Sequence, residues 1–137
     1  IGVSSIKRAN LPNNISALDR ISRKEVAEIM AKAWCLIHPS KADTGPTVVK
    51  EARVMGLPVI VSKECGAKQY IVHGYSGFVI NPDDVEKLTE YVLHITQSQD
   101  KASQMGNYGR QQCRDMLSSE TMYGKLKSIY NQIIHKH

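Results

Sequence analysis

The segment LPVIVS at 57–62 constrains the fold of this chain more than any other. Its apolar residues follow one another without polar alternation, which is typical of a strand covered on both faces, as in a parallel sheet. A shorter apolar run, WCLIHPS at 34–40, predicts another buried strand. Between the two, TVVKEARVM at 47–55 shows helical spacing, and Gly56 is placed to end that helix. Strand, helix and strand in this order predict parallel strands joined by a right-handed crossover.

The neighbouring segments continue the alternation of strands and helices. NNISALD at 13–19 predicts a strand after a turn, and SRKEVAEIMAKA predicts a helix that begins after Ser22. Ser22 and Glu25 form the S-x-x-E pattern of a capping box. GFVI at 77–80 predicts a further short strand. The sequence therefore predicts an α/β fold with a Rossmann-like, three-layer arrangement, in which helices flank a parallel sheet.

The last third of the chain is predicted to be helical. Three consecutive amphipathic segments occupy residues 83–137. Asp83 or Asp84 is expected to cap the first of them, and Ser118 or Ser119 the last. A length of 137 residues suits one domain, so 1–137 is predicted to be a single unit. Because the chain opens on Ile, we expect it to be part of a longer protein.

Charge and composition narrow the classes of partner. No apolar run approaches the roughly 18 residues of a membrane-spanning helix. The net charge is +5, and the whole excess lies before His73. This basic half is either a solvated surface or the source of a field that attracts a phosphorylated ligand. Only 6% of residues are aromatic, and none interleave with clustered lysines and arginines, so no nucleic-acid partner is expected.

The cysteines and histidines argue against a metal centre. Cys35, Cys65 and Cys113 are odd in number and lack the spacing of metal ligands, so we expect free thiols in a reducing compartment. The histidines likewise show no zinc-binding pattern. These observations predict a cytoplasmic protein without a metal site.

The turn SKADTGPT at 40–47 is the strongest candidate for a binding site. It follows a predicted strand directly, and open parallel sheets bind ligands beyond the carboxyl ends of their strands. It also leads into a helix N-terminus, which favours anionic or polar oxygens. Gly45 allows a ligand to approach the backbone, and Pro46 suits the first helical position.

Two carboxylates, Asp43 and Glu51, bracket this turn and helix start. Each carboxylate accepts two hydrogen bonds, which suits the vicinal hydroxyls of a polyhydroxylated ligand such as a nucleotide sugar. A purely structural interpretation stays open at this point. In that interpretation Asp43 caps the helix, and Glu51 pairs with a surface lysine such as Lys50 or Lys63.

A family resemblance extends from about residue 14 to residue 96. The segment HPSKADTGPTVVKEARVMGLPVIVS at 38–62 has Pro-Ser, an acid, seven residues, Glu-Ala and then Gly-x-Pro-Val. CGAKQYIVHGYSGFVINPDD at 65–84 follows with matching glycines and a Pro-x-Asp end. In this order the motifs resemble the nucleotide-binding half of retaining glycosyltransferases of family 4, which have the two-domain GT-B fold. The resemblance implies that this chain is the C-terminal, donor-binding lobe of that fold.

The resemblance also implies roles for particular residues. Asp43, in the position of the family's first acid, would contact hydroxyls of the donor sugar, and Glu51 would bind the ribose hydroxyls. These two acids are the predicted catalytic residues. Backbone near Arg20 and Ile21 would face the base. Backbone of the following turn would contact the sugar, at Thr44, Gly45, Pro46 (through its carbonyl only) and Thr47. Val48, at the start of the helix, would approach a phosphate.

The chain departs from the family pattern at several positions. Asp43 is one methylene shorter than the usual glutamate, and Asp19 stands where the family has glycine. Cys65, Gln69 and His73 replace the usual glycine, glutamate and aspartate. The arginine and lysine that grip the donor diphosphate in the family match no part of this chain.

The resemblance therefore implies a donor-binding lobe of a glycosyltransferase that acts with retention at the anomeric carbon. The donor is a nucleotide sugar, no metal or other cofactor is expected, and the chain alone is expected to be inactive. An N-terminal acceptor-binding domain would complete the enzyme, and a peripheral contact with the inner face of the membrane is left open. Two alternatives also stay open: a lobe of a sugar-nucleotide epimerase, and a non-catalytic α/β module that binds a nucleotide or a partner.

Overall fold

A computed structural model describes residues 11–134. Within them the chain forms three parallel strands and five α-helices, which confirms the predicted α/β class. A short 3₁₀ helix, Gly66–Tyr70, follows the second strand. In chain order the elements are α1 (Arg23–Lys32), β1 (Leu36–His38), α2 (Thr47–Val54), β2 (Val59–Ser62), β3 (Gly77–Ile80), α3 (Val85–Thr96), α4 (Gln99–Leu117) and α5 (Ser119–Ile134).

The sheet has the order β1-β2-β3, so β2 lies at its centre. In register, Leu36 of β1 pairs with Val59, and Val59 pairs with Gly77 of β3. All four residues of β2 are buried, as the apolar run at 57–62 predicts. The central strand thus places its carboxyl end beside the turns that follow β1 and β3.

Helices cover both faces of β2, which confirms the three-layer arrangement. Val59 and Val61 belong to the core on one face, together with residues of α1 and α2. Ile60 belongs to the core on the other face, where it meets Ile95 of α3 and Met105 of α4. Successive strand residues point to opposite faces, so one short apolar strand anchors both layers. Burial of each such side chain stabilises the fold by about 1.5–3 kcal/mol.

The strand predicted at 13–19 is wrong. The segment is irregular after a turn in which the N–H of Ile15 donates to the carbonyl of Pro12 at 2.9 Å. Ile15 and Leu18 remain 51% and 60% exposed. An alternating pattern becomes a strand only when a neighbouring strand satisfies its backbone. Within residues 11–134 the outer edge of β1 has no such neighbour.

The strand predicted at 34–40 is present but shorter and less buried than expected. It is confined to Leu36–His38, and Trp34 and Ile37 are 45% and 39% exposed. The apolar run gave no indication that β1 lies at the edge of the described sheet. Only the face of β1 that carries Leu36 packs against the core.

The contact between α2 and α4 buries an arginine. The side chain of Arg53 is 2% exposed, and its Nη2 donates to Oε1 of Gln112 at 2.9 Å. Its Nε has no partner among the described residues. Burial lowers the pKa of Arg53, although the neighbouring Cys113 acts in the opposite direction. No ion pair joins this guanidinium to a carboxylate within the described residues, so its desolvation is only partly compensated.

We expect Arg53→Met to raise the free energy of unfolding by about 1 kcal/mol. Methionine fills a similar volume without a buried charge, and such replacements are often neutral or stabilising. Chemical denaturation measures the change. Arg114→Met, at an exposed position of the same helix pair, is the control and should stay within about 0.5 kcal/mol of the wild type. A clear loss of stability in Arg53→Met would mean that the bond to Gln112 outweighs the desolvation.

The C-terminal helices begin where the sequence predicts. Oδ1 of Asp84 accepts the N–H of Lys87 at 2.9 Å, and Oγ of Ser118 accepts the N–H of Thr121 at 3.1 Å. No residue of α5 is buried, so its apolar face is exposed. None of the helices in the described part of the chain is long and apolar enough to cross a membrane. The exposed face of α5 consists of Tyr123, Leu126, Ile129, Tyr130 and Ile133.

Candidate functional site

The loop between β1 and α2, residues 39–46, is here called the site loop. It lies at the carboxyl edge of the sheet, against the turn that follows β2. The N–H of Gly66 donates to the carbonyl of Asp43 at 2.7 Å, and Oγ of Ser62 donates to the carbonyl of Ser40. A Cβ on Gly66 would stand 1.9 Å from the carbonyl oxygen of Thr44. The two loops are therefore joined largely through backbone atoms.

The carboxylate of Asp43 is folded back towards β1. Its Oδ2 lies 3.1 Å from Nε2 of His38, and its Oδ1 accepts the N–H of Gly45 at 3.1 Å. The side chain remains 32% exposed. The alternative in which Asp43 caps α2 is not seen. Pro46 is the N-cap, with no side-chain hydrogen bond, so the expectation that Pro46 occupies the first helical position is also corrected.

The N-terminus of α2 is open to a ligand. Its first N–H groups have no partners within the helix, and no side chain caps it. Pro46 is buried below it, whereas Thr47 is exposed and Val48 is half-buried. No atom lies within 4 Å of the place where a Cβ on Gly45 would stand. An anionic or polar group can therefore approach the positive end of the helix dipole beside Gly45.

A groove of about 440 Å³ lies between α1 and α2. Two of the predicted site residues, Ile21 and Glu51, border it together. Asp43 and the exposed Arg20 do not line it. The groove is therefore bordered by Ile21, expected to face the base, and by Glu51, expected to bind the ribose. Asp43, expected to contact the sugar, lies outside it. Its lining is mostly apolar and consists of Ile21, Arg23, Val26, Ala27, Met30, Lys50, Glu51, Val54 and Met55.

Glu51 is exposed at the rim of this groove. Among residues 11–134 its carboxylate makes no ion pair, so the alternative pairing with Lys50 or Lys63 is not seen. A free carboxylate beside an apolar wall can accept two hydrogen bonds from neighbouring hydroxyls while a flat ring packs on the wall.

The capping box of α1 fixes one wall of the groove. Oγ of Ser22 accepts the N–H of Glu25 at 3.2 Å, and the N–H of Ser22 donates to Oε2 of Glu25 at 2.7 Å. Hydrogen bonds from Ser22 lower the pKa of Glu25. Ile21 directly precedes the cap, and Val26 follows it at the fourth helical position. Both line the groove, in the positions of a hydrophobic staple.

His38 lies beside the site, where the sequence favours a near-core residue without a catalytic role. It is half-buried at the end of β1, and its side chain is 23% exposed. The sequence offers one signal: a histidine at a strand end stands five positions before an acid in the following turn. That spacing alone does not reveal that the turn brings the two side chains together.

The three cysteines, Cys35, Cys65 and Cys113, are free thiols, as the sequence predicts. Burial raises the pKa of Cys35 and of Cys113. Among the residues that the structure describes, no three His, Cys, Asp or Glu side chains converge in a way that suits a metal ion. The absence of a metal in the function of this protein stays a prediction.

Comparison with known protein families gives an extended match. Residues 3–112 match the family described as "Glycosyl transferases group 1". This match covers well over half of the chain and includes the site loop, α2 and the groove between α1 and α2.

Individual relatives are more distant. The chain is 38% identical over 78 residues to lipopolysaccharide glucosyltransferase WaaG of Escherichia coli K12, covering 56% of this chain and 21% of that protein. It is 22% identical over 128 residues to N-acetyl-alpha-D-glucosaminyl L-malate synthase of Bacillus anthracis, covering 90% of this chain and 34% of that protein. The chain thus spans about a third or less of the length of these relatives.

A solved structure shows the same fold. Sucrose-phosphate synthase from Thermosynechococcus elongatus superimposes with a TM-score of 0.73 at 22% sequence identity. The superposition covers 88% of this chain and 30% of that one. The observed order of parallel strands and flanking helices is therefore that of a known α/β lobe.

Proposed function

Because the chain belongs to the group 1 glycosyl transferases, we propose that it is the donor-binding lobe of a glycosyltransferase. The complete enzyme transfers a glycosyl group from a nucleotide sugar to an acceptor hydroxyl, with retention at the anomeric carbon. One observation supports donor binding by this particular chain of the family. Glu51, without an ion-pair partner among residues 11–134, borders the same apolar groove as Ile21.

In the proposed complex the nucleoside occupies the groove between α1 and α2. The base packs on the apolar wall beside Ile21 and meets backbone near Arg20. The ribose hydroxyls donate to the carboxylate of Glu51. Mostly apolar walls with one well-placed acceptor are typical of sites that bind such ligands.

The diphosphate and the sugar extend from the groove towards the site loop. The backbone of Val48 faces the diphosphate near the helix N-terminus, where the dipole favours negative charge, and that of Thr47 lies between the diphosphate and the sugar. The sugar lies against the backbone of Thr44, Gly45 and Pro46, and its hydroxyls donate to Asp43. Stabilisation of the leaving diphosphate by oriented positive groups supplies much of the catalysis in this proposal.

The proposal also covers the rest of the enzyme, its cofactors and its cellular compartment. The relatives are nearly three times as long as this chain, which supports an acceptor-binding domain outside these residues. The lobe alone therefore binds the donor but does not transfer it. No metal or other cofactor takes part. Three free cysteines support a reducing compartment and hence a cytoplasmic enzyme, with an acceptor at the inner face of the membrane as one arrangement.

We expect Glu51→Ala to raise the dissociation constant of the donor nucleotide by about ten- to thirtyfold. The variant loses hydrogen bonds between ribose hydroxyls and a charged acceptor, which together contribute about 1.4–2 kcal/mol at this exposed position. Calorimetric titration of the chain with UDP, GDP and ADP, and with their glucose conjugates, measures the change. The same series identifies the preferred base.

Glu86→Ala is the matched control for this substitution. Glu86 is an exposed carboxylate in the first turn of α3, a helix that packs on the opposite face of the sheet from α2. Its removal should leave the dissociation constants unchanged. The proposal is contradicted if the folded wild-type chain binds none of the six ligands. Equal affinities of the wild type and Glu51→Ala would contradict the assignment of the ribose site.

A further inference from the structure

His38 and Asp43 form a pair of side chains at the carboxyl edge of the sheet. Nε2 of the histidine lies 3.1 Å from Oδ2 of the aspartate. Both side chains are largely shielded, at 23% and 32% exposure. The ring belongs to the last residue of β1, a strand whose neighbour is fully buried. The histidine is therefore the firmly anchored member of the pair, and the aspartate belongs to a loop.

The chemistry of the two groups indicates the direction of this hydrogen bond. An ionised carboxylate only accepts, so Nε2 of His38 carries the hydrogen and donates it to Asp43. The second carboxylate oxygen accepts the N–H of Gly45. The backbone carbonyl of Asp43 is held as well, because it accepts the N–H of Gly66. Three bonds from three separate segments thus fix both the backbone and the side chain of this one residue.

These bonds leave the carboxylate able to bind a ligand. Each of its oxygens has about two lone-pair directions, and His38 and Gly45 use one on each oxygen. One acceptor site therefore remains on each oxygen, which matches two hydroxyls of a sugar ring. A side chain already held in its bound rotamer loses little conformational entropy when the ligand arrives. Without the bond from His38, the N–H of Gly45 is the one hydrogen-bond donor to the carboxylate that remains among residues 11–134.

We propose that His38 is a positioning residue for the glycosyl part of the donor. It holds the carboxylate of Asp43 in the orientation in which the two remaining acceptor sites meet the sugar hydroxyls. This inference rests on the proposed function and adds to it a residue that governs sugar recognition. Recognition of the nucleotide through Glu51, in the groove between α1 and α2, does not depend on His38, which does not line that groove.

The test compares nucleotide with nucleotide sugar in titrations of the full chain. For UDP, GDP and ADP, the ratio of the dissociation constant of the diphosphate to that of its glucose conjugate measures the contribution of the sugar. In His38→Ala this ratio should fall by about tenfold, while the affinity for the diphosphate alone stays unchanged. His38→Gln retains an N–H donor near the position of Nε2 and should preserve most of the ratio.

His94→Ala is the matched control, because this histidine is exposed on α3, outside the site loop and the groove. It should leave the ratio unchanged, and circular dichroism establishes that each variant is folded. An unchanged ratio in His38→Ala overturns the inference, and so does a wild type that binds the conjugates no more tightly than the diphosphates. In both cases the nucleotide part of the proposed function stands. A folded wild type that binds no nucleotide overturns both.

Discussion

A methyl group on Gly106 is expected to lower the free energy of unfolding by about 3 kcal/mol. Gly106 lies in the middle of α4, where a Cβ would stand 1.8 Å from the carbonyl oxygen of Gly56. That oxygen belongs to the backbone at the end of α2, so relief requires the two helices to separate. The separation would disturb the neighbouring bond from Arg110 to the carbonyl of Met55. Chemical denaturation of Gly106→Ala measures the loss.

Gly109→Ala, one turn further along α4, is the matched control. A Cβ there would meet Ser76 at 3.5 Å and Arg53 at 3.6 Å, which are ordinary contact distances. Because alanine favours a helix over glycine by up to about 1 kcal/mol, this variant should be as stable as the wild type or more stable. Equal stability of the two variants would show that α4 shifts on α2 at little cost.

The second large effect is expected at the carboxyl edge, from Gly66→Ala. The added Cβ would overlap the carbonyl of Thr44, so the site loop must move away from the turn after β2. The move breaks the 2.7 Å bond between Gly66 and Asp43. We expect a loss of about 2–3 kcal/mol in stability and a fall of at least a hundredfold in the affinity for the glucose conjugate. Denaturation and calorimetric titration measure the two effects separately.

Gly45→Ala tests whether a ligand contacts the site loop, because the added methyl group does not disturb contacts within the protein. No protein atom lies within 4 Å of a Cβ at this position, so stability should not fall. If the donor sugar approaches this backbone as proposed, the methyl group weakens its binding. If Gly66→Ala binds the conjugate as tightly as the wild type does, the link between the site loop and the turn after β2 is not needed for sugar binding.

Local patterns in the sequence predicted the elements that depend on local chemistry. The capping box of Ser22 and Glu25 correctly predicted the start of α1. Gly56 was predicted to end the next helix, and it follows α2 with a φ of +80°. The unbroken apolar run of β2 predicted burial on both faces. Each of these signals lies within a few residues of the structure that it specifies.

Features that depend on distant segments were not predictable in this way. The burial of Arg53 depends on Gln112, 59 residues along the chain, and no local pattern in the sequence indicates it. The segment at 13–19, which was wrongly predicted to be a strand, shows that a local sequence pattern does not indicate whether a neighbouring strand is present to pair with it. The bond between His38 and Asp43 depends on the path of the site loop, which is set by Gly66 after the next strand.

The main-chain links between the two loops at the carboxyl edge have a consequence for how this lobe can diversify. The carbonyl of Asp43 and the N–H of Gly66 are present whatever side chains surround them, and the bond to the carbonyl of Ser40 needs only the hydroxyl of Ser62. Lys41, Ala42 and Thr44 are exposed between these fixed points. Evolution, or a combinatorial library, can therefore vary these three side chains while the loop keeps its path. Under the proposed function, such changes would alter the preference for the donor sugar. The path of the loop and the side chains that it presents can thus change independently of each other.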